Sequence, residues 1–123
     1  MTIMEALYRI DEVKPNSCSQ AEKIKWLSSL DGVIKSEIID THEGGEDIVF
    51  NGYTEDSDLD TKLIVPAPYD DVYLRWLETR IDYTNGEYGK FNNSLTAYND
   101  AYSQFERFYN RTHMPIQKGK FKF

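Results

Sequence analysis

Seven residues near the C-terminal end of the chain follow one another at alternating steps of three and four. This heptad spacing places them along one side of an α-helix. Six of the seven are aromatic, an apolar surface too large to leave in water. The pattern predicts a long helix that packs through this side, within the subunit or against another one. We call this set the seam: Tyr88, Phe91, Leu95, Tyr98, Tyr102, Phe105 and Tyr109.

The register of the seam continues toward the N-terminus across Asn85–Gly86, although that dipeptide is typical of a turn. Stepping back from Tyr88 reaches Thr84 and then Ile81 on the same side. A turn gives no reason for the register to persist, so one helix over about 69–112 is favoured over a tight hairpin. Such a helix would be roughly 65 Å long. A compact domain of this size does not need that length, which implies neighbouring subunits.

Two earlier helices are indicated by capping residues. Thr2 with Glu5, and Ser19 with Glu22, have the spacing in which a hydroxyl and a carboxylate satisfy backbone donors at a helix start. Apolar residues at helical spacing follow each pair. The predicted helices cover 2–13 and 19–41.

The middle of the chain, 40–71, has a different character, with ten acidic residues against one lysine. Two short β-rich runs at 48–50 and 63–65 are bounded by turn residues, which predicts a small β-hairpin or an extended loop over about 42–67. The acidic run at 56–60 has the opening spacing of a calcium loop but lacks its glycine and its final glutamate. A solvated loop is the favoured interpretation.

The predicted fold class is therefore all-α: a helical bundle with a long C-terminal helix and a small hairpin or extended loop in the middle. Residues 1–115 form one domain, and 116–123 form a basic, aromatic tail. Lysines alternate with phenylalanines in this tail, a pattern suited to docking onto an acidic neighbour. A frayed terminus is the alternative. The proposed docking residues are Lys118, Lys120, Phe121, Lys122 and Phe123.

Composition excludes several classes of function. A net charge of −7 disfavours binding of nucleic acid through a basic patch. The single cysteine, Cys18, fits a reducing cytoplasm and leaves no cysteine cluster for a metal. His42 and His113 belong to no metal-binding pattern, and no phosphate-binding glycine loop or nucleophile elbow is present. We expect no catalytic, cofactor or metal site, and neither secretion nor a membrane span.

Six blocks of the sequence, in order along the chain, carry a resemblance to a known family. The blocks are DEVKPN at 11–16, IIDTHEG at 38–44, VPAPYD at 65–70, IDYTNGEY at 81–88, NNS at 92–94 and YNRTHMP at 109–115. Together they resemble the head-tail connector, or adaptor, proteins encoded by tailed phages and prophages of Gram-positive bacteria.

The resemblance implies a structural role without chemistry. Connector subunits form a ring of about a dozen copies, mounted under the portal protein and followed by the next connector or tail protein. DNA passes through the lumen without sequence-specific binding. The expected location is the head-tail junction of the virion, after assembly in the bacterial cytoplasm. The alternative is a stand-alone helical regulatory module that binds one partner protein through the seam, and an enzyme ranks third.

Overall fold

The computed structural model describes residues 1–116, and these form four α-helices separated by two short connections and one long irregular segment. The fold is all-α with a long C-terminal helix, as predicted. The tail residues Lys118, Lys120, Phe121, Lys122 and Phe123 lie outside the described residues. The helices are α1 (Ile3–Val13), α2 (Gln20–Glu37), α3 (Asp71–Thr84) and α4 (Tyr88–Thr112).

Local capping chemistry sets the starts of α1 and α2, as the sequence indicates. Thr2 Oγ1 accepts a hydrogen bond from the Glu5 amide, and the Glu5 carboxylate accepts one from the Thr2 amide, both at 3.1 Å. Ser19 Oγ accepts from the Glu22 amide at 3.1 Å. The prediction of a second helix to residue 41 is slightly long, because α2 ends at Glu37 and a short 3-10 turn follows.

The prediction of one continuous helix over about 69–112 is wrong. Gly86 adopts a left-handed φ of 71°, which ends α3 and reverses the chain. Tyr69, before α3, stacks on Phe108 near the end of α4, with the two ring centres 4.6 Å apart. At the other end of α3, the ring centres of Tyr83 and Phe91 are 5.5 Å apart. The two helices therefore form an antiparallel hairpin, and the shared register arose because both turn their apolar sides toward one core.

Two alternatives are predicted for the acidic middle segment, a hairpin and an extended loop. The structure shows the extended loop. Residues 1–116 contain no β-strand, and the runs at 48–50 and 63–65 do not pair with each other. The start of the second run and the residues just before it are hydrogen-bonded to the start of the chain instead. The amide of Ile3 donates to the Thr61 carbonyl and the amide of Leu63 to the Met1 carbonyl, each at 3.0 Å. The loop is thereby held against α1.

The buried apolar side chains form one cluster to which all four helices contribute. Its largest fully buried members include Tyr73 on α3 and Phe105 on α4. In α4 the buried residues are confined to the C-terminal half, at Phe105 and Tyr109. The N-terminal half of α4 therefore lies beside α3 at the edge of the core. No helix in the described part of the chain is long and apolar enough to cross a membrane.

Candidate functional site

Asp31 on α2 is fully buried and is the centre of one polar network. Its carboxylate accepts hydrogen bonds from the hydroxyls of Tyr53 at 2.5 Å and Tyr73 at 2.6 Å, and from the Ile64 amide at 3.2 Å. The Tyr73 hydroxyl in turn accepts from the Val65 amide at 2.7 Å. Burial raises the pKa of Asp31 and of both tyrosines. This network therefore holds the middle segment to α2 and α3 through Tyr53, Ile64 and Val65.

A second buried carboxylate, Asp82 on α3, joins three helical regions. It accepts a hydrogen bond from Nζ of Lys14, which lies just after α1, at 2.6 Å. It accepts another from the hydroxyl of Ser94 on α4, at 2.5 Å. Asp82 is 1 % exposed. A buried charge without partners is costly, and this one is paired and hydrogen-bonded. Its role is to lock the α3–α4 hairpin onto the end of α1.

His42 joins the segment after α2 to the last turns of α4. Its ring nitrogens lie 2.6 Å from the Ile38 carbonyl and 2.8 Å from the Asn110 side-chain oxygen. The ring also meets Tyr109 edge to face at 4.9 Å. His113 stacks on the same tyrosine at 3.8 Å. Both histidines thus lie at the C-terminal ends of helical segments and make contacts within the fold.

Both buried carboxylates are bonded to groups of the fold. Asp31 accepts from Tyr53, Tyr73 and the Ile64 amide, and Asp82 accepts from Lys14 and Ser94. Within residues 1–116 no group of three or more His, Cys, Asp or Glu side chains is placed to hold a metal ion. Other candidate functional residues are the aromatic side chains on the surface of α3 and α4.

The seven seam residues are buried to very different degrees. Phe105 and Tyr109 are 1 % and 5 % exposed and belong to the core. Tyr98 and Tyr102, further up α4, are half-buried and pack against the edge of the core. Tyr88 is 64 % exposed. The remaining two residues, Phe91 and Leu95, are partly buried.

The exposed and partly buried residues of the seam lie beside aromatic residues of α2 and α3. The ring centres of Trp76 on α3 and Tyr98 are 4.9 Å apart. The Trp76 indole N–H donates a hydrogen bond to the Trp26 backbone carbonyl at 2.9 Å. The ring centres of Tyr83 and Tyr88 are 6.3 Å apart. These rings form one continuous surface, which we call the aromatic face. Its residues are Trp26, Trp76, Arg80, Tyr83, Tyr88, Phe91, Tyr98 and Tyr102.

Arg80 lies at the centre of the aromatic face. Its guanidinium carbon is 5.7 Å from the ring centres of Trp26 and Trp76 and 5.5 Å from that of Tyr83. These distances allow cation–π attraction. At the far edge, the Tyr102 hydroxyl lies 3.4 Å from the Glu37 carboxylate. The face therefore offers large apolar rings around a single cation.

Sequence analysis did not identify the cluster formed by Trp26, Trp76, Arg80 and Tyr83. The available signal was the spacing of Trp76, Arg80 and Tyr83, at steps of four and three, which places them on one side of α3. The missing information was the reversal at Gly86, which brings that side against the seam.

Comparison with protein-family models, with curated proteins and with solved structures finds no match to this chain.

Proposed function

We propose that this chain is a structural assembly subunit, of the head-tail connector class that its sequence resembles, and that the aromatic face is its contact surface. The supporting observation is the exposure of Tyr83 and Tyr88, at 51 % and 64 %, beside each other at the tip of the α3–α4 hairpin. Adjacent exposed aromatic rings are typical of protein–protein contact sites. In this proposal the chain carries out no chemistry.

The charge of the chain agrees with a role around DNA. A net charge of −7 gives a surface that repels phosphates, so a ring of such subunits would let the genome pass without holding it. The proposed partners are further copies of the chain in a ring, the portal protein on one side, and the next connector or tail protein on the other. The proposed location is the head-tail junction of the virion.

The mass of the assembled protein tests this proposal. Light scattering and negative-stain microscopy would be applied to the chain alone and after mixing with portal assemblies from the same genome. We expect rings, formed alone or on the portal. Replacing Tyr83 and Tyr88 together by serine should abolish them without changing the melting temperature.

The matched control is Tyr8→Ser, because Tyr8 on α1 is also strongly exposed, at 67 %, and lies outside the aromatic face. This variant should assemble normally. If the unmodified chain remains a monomer or dimer both alone and after mixing with portal assemblies, the connector proposal is contradicted and the regulatory module is favoured.

A further inference from the structure

Arg80 differs from the other buried or half-buried basic residues of this acidic chain. Each of the others has a carboxylate oxygen within 4.0 Å, whereas no ion pair or hydrogen bond of the Arg80 guanidinium is found within residues 1–116. Its Nε atom is buried without a partner in the same part of the chain. The paired residues are Lys14, Lys23, Lys35 and Arg75.

The surroundings of Arg80 suit an incoming carboxylate. The rings of Trp26, Trp76 and Tyr83 lie around the partly exposed guanidinium. A guanidinium in such a setting keeps its charge and binds carboxylates through paired N–H donors. Arg80 is therefore an unused cationic anchor within an exposed apolar surface.

The chain itself presents carboxylates in a fixed loop. In the turn after Tyr53, Ser57 Oγ accepts from the Thr54 amide at 2.9 Å, and the Asp60 amide donates to an Asp58 oxygen at 2.9 Å. These bonds fix the backbone of 54–61, which we call the acidic loop. Its remaining carboxylates are exposed and accept no hydrogen bond within the described part of the chain. They belong to Glu55, Asp56 and Asp60.

The acidic loop and the aromatic face lie on opposite sides of α2. The Ser28 hydroxyl accepts from the Tyr53 amide at 3.0 Å, just before the loop. Trp26 faces Arg80. Two residues along a helix are roughly 200° apart around its axis. One subunit therefore cannot bring its own loop to its own Arg80, but two copies can be joined in this way.

We infer that the aromatic face around Arg80 binds the acidic loop of a second copy of this chain. The inference rests on the proposed function, since a contact between two different surfaces of the same subunit is the kind that closes into a ring. Charge complementarity selects this occupant. The chain's own tail is basic, at Lys118, Lys120 and Lys122, and would repel Arg80.

Engineered disulfides test this contact. In a Cys18→Ser background, Thr84→Cys places a thiol one turn after Arg80 on the same side of α3, and Glu55→Cys places one in the acidic loop. Both positions are exposed. A chain carrying both cysteines should give a ladder of covalent oligomers on mild oxidation. Chains carrying only one of them should remain monomers.

Two results would overturn the inference: no ladder from the double-cysteine chain, or dimers from the Thr84→Cys chain alone, which would mean that two aromatic faces meet. The mass of the unmodified protein, measured in parallel, separates this failure from failure of the proposed function. Rings without a ladder would leave the connector proposal standing and reject only this contact.

A charge exchange provides the second test, in the double-cysteine chain. Arg80→Glu and Asp56→Lys should each reduce the ladder roughly tenfold, and the two changes together should restore it. Arg107→Glu is the control, because Arg107 is exposed and lies roughly 200° around α4 from Phe105. It changes the net charge equally and should leave the ladder intact. Failure of the double change to restore cross-linking, with all variants folded by circular dichroism, would contradict direct pairing.

Discussion

At the scale of single residues, the buried Asp31 carboxylate connects three parts of the fold. Its carboxylate links α2 to the acidic middle segment through Tyr53 and Ile64, and to α3 through Tyr73. A buried carboxylate loses the hydration it has in water, and the donors of the fold replace it. The position of the loop is therefore decided inside the core.

Tyr73→Phe should destabilise the protein more than Tyr53→Phe. The Tyr73 hydroxyl is buried, donates to Asp31 and accepts from the Val65 amide, so its removal leaves a buried N–H unsatisfied. The expected cost is about 1–3 kcal/mol. Tyr53 is only half-buried, and its hydroxyl donates to Asp31 alone. Urea unfolding of both variants measures the difference, and equal losses would show that the Val65 bond contributes nothing.

The stability of the protein should carry a pH dependence from Asp31. Burial raises its pKa above the ordinary 3.8, against the opposing hydrogen bonds of Tyr53 and Tyr73. The folded state then keeps the proton to higher pH than the unfolded chain, so this residue lowers the free energy of unfolding as pH rises through that window. Asp31→Asn should remove the decrease. Asp11 and Glu5 have lowered pKa values and act in the opposite sense, but equally in both proteins.

Urea unfolding of the wild type and of Asp31→Asn over a series of pH values provides the measurement. As pH rises above about 3.8, the free energy of unfolding of the wild type should fall relative to that of Asp31→Asn. Parallel curves for the two proteins would mean that the Asp31 carboxyl titrates in the folded protein as it does in the unfolded chain.

At the scale of helices and loops, the sequence predicts features that depend on neighbouring residues and misses those that depend on distant ones. The starts of α1 and α2 follow from Thr2 and Ser19, whose hydroxyls bond three residues ahead. The reversal at Gly86 was missed because the apolar register continues across it. The cluster around Arg80 was missed because Trp26 comes from a helix fifty residues away from Trp76.

Gly86→Ala and Gly89→Ala should change stability in opposite directions. Gly86 has a φ of 71°, a conformation that costs an alanine about 1 kcal/mol. Gly89 is the second residue of α4, and an added methyl group meets no atom within 4 Å. Alanine there should stabilise the first turn of the helix by less than about 1 kcal/mol. Thermal or urea unfolding measures both. A stabilising effect of Gly86→Ala would favour the continuous helix that the sequence pattern suggested.

At the scale of the whole molecule, the segment after α4 is held to the rest of the fold as far as Ile116, the first residue of the tail. The Glu43 amide donates to the Met114 carbonyl at 2.7 Å, and the Ile116 amide donates to the Thr41 carbonyl at 2.9 Å. These bonds join the C-terminal end of α4 to the segment that follows α2. Removal of 117–123 leaves both in place.

Deleting 117–123 should therefore change the free energy of unfolding by less than about 0.5 kcal/mol, while weakening attachment to the portal or to adjacent subunits. Deleting 114–123 is the control and should destabilise the fold, because it removes the partners of Glu43 and Thr41. Co-sedimentation with portal rings and circular dichroism measure the two effects. If the shorter deletion binds as tightly as the full chain, the tail is not a docking element.

The bonds that hold the middle segment also determine how the molecule opens. The amides of Tyr53, Ile64 and Val65 are in no helix or strand, yet they donate to Ser28, Asp31 and Tyr73. Asp31 and Tyr73 are fully buried, so releasing the amides of Ile64 and Val65 requires opening of the core. Their hydrogen exchange with solvent should be as slow as that of the core helices. The Val49 amide, which has no hydrogen bond within the described residues, should exchange freely.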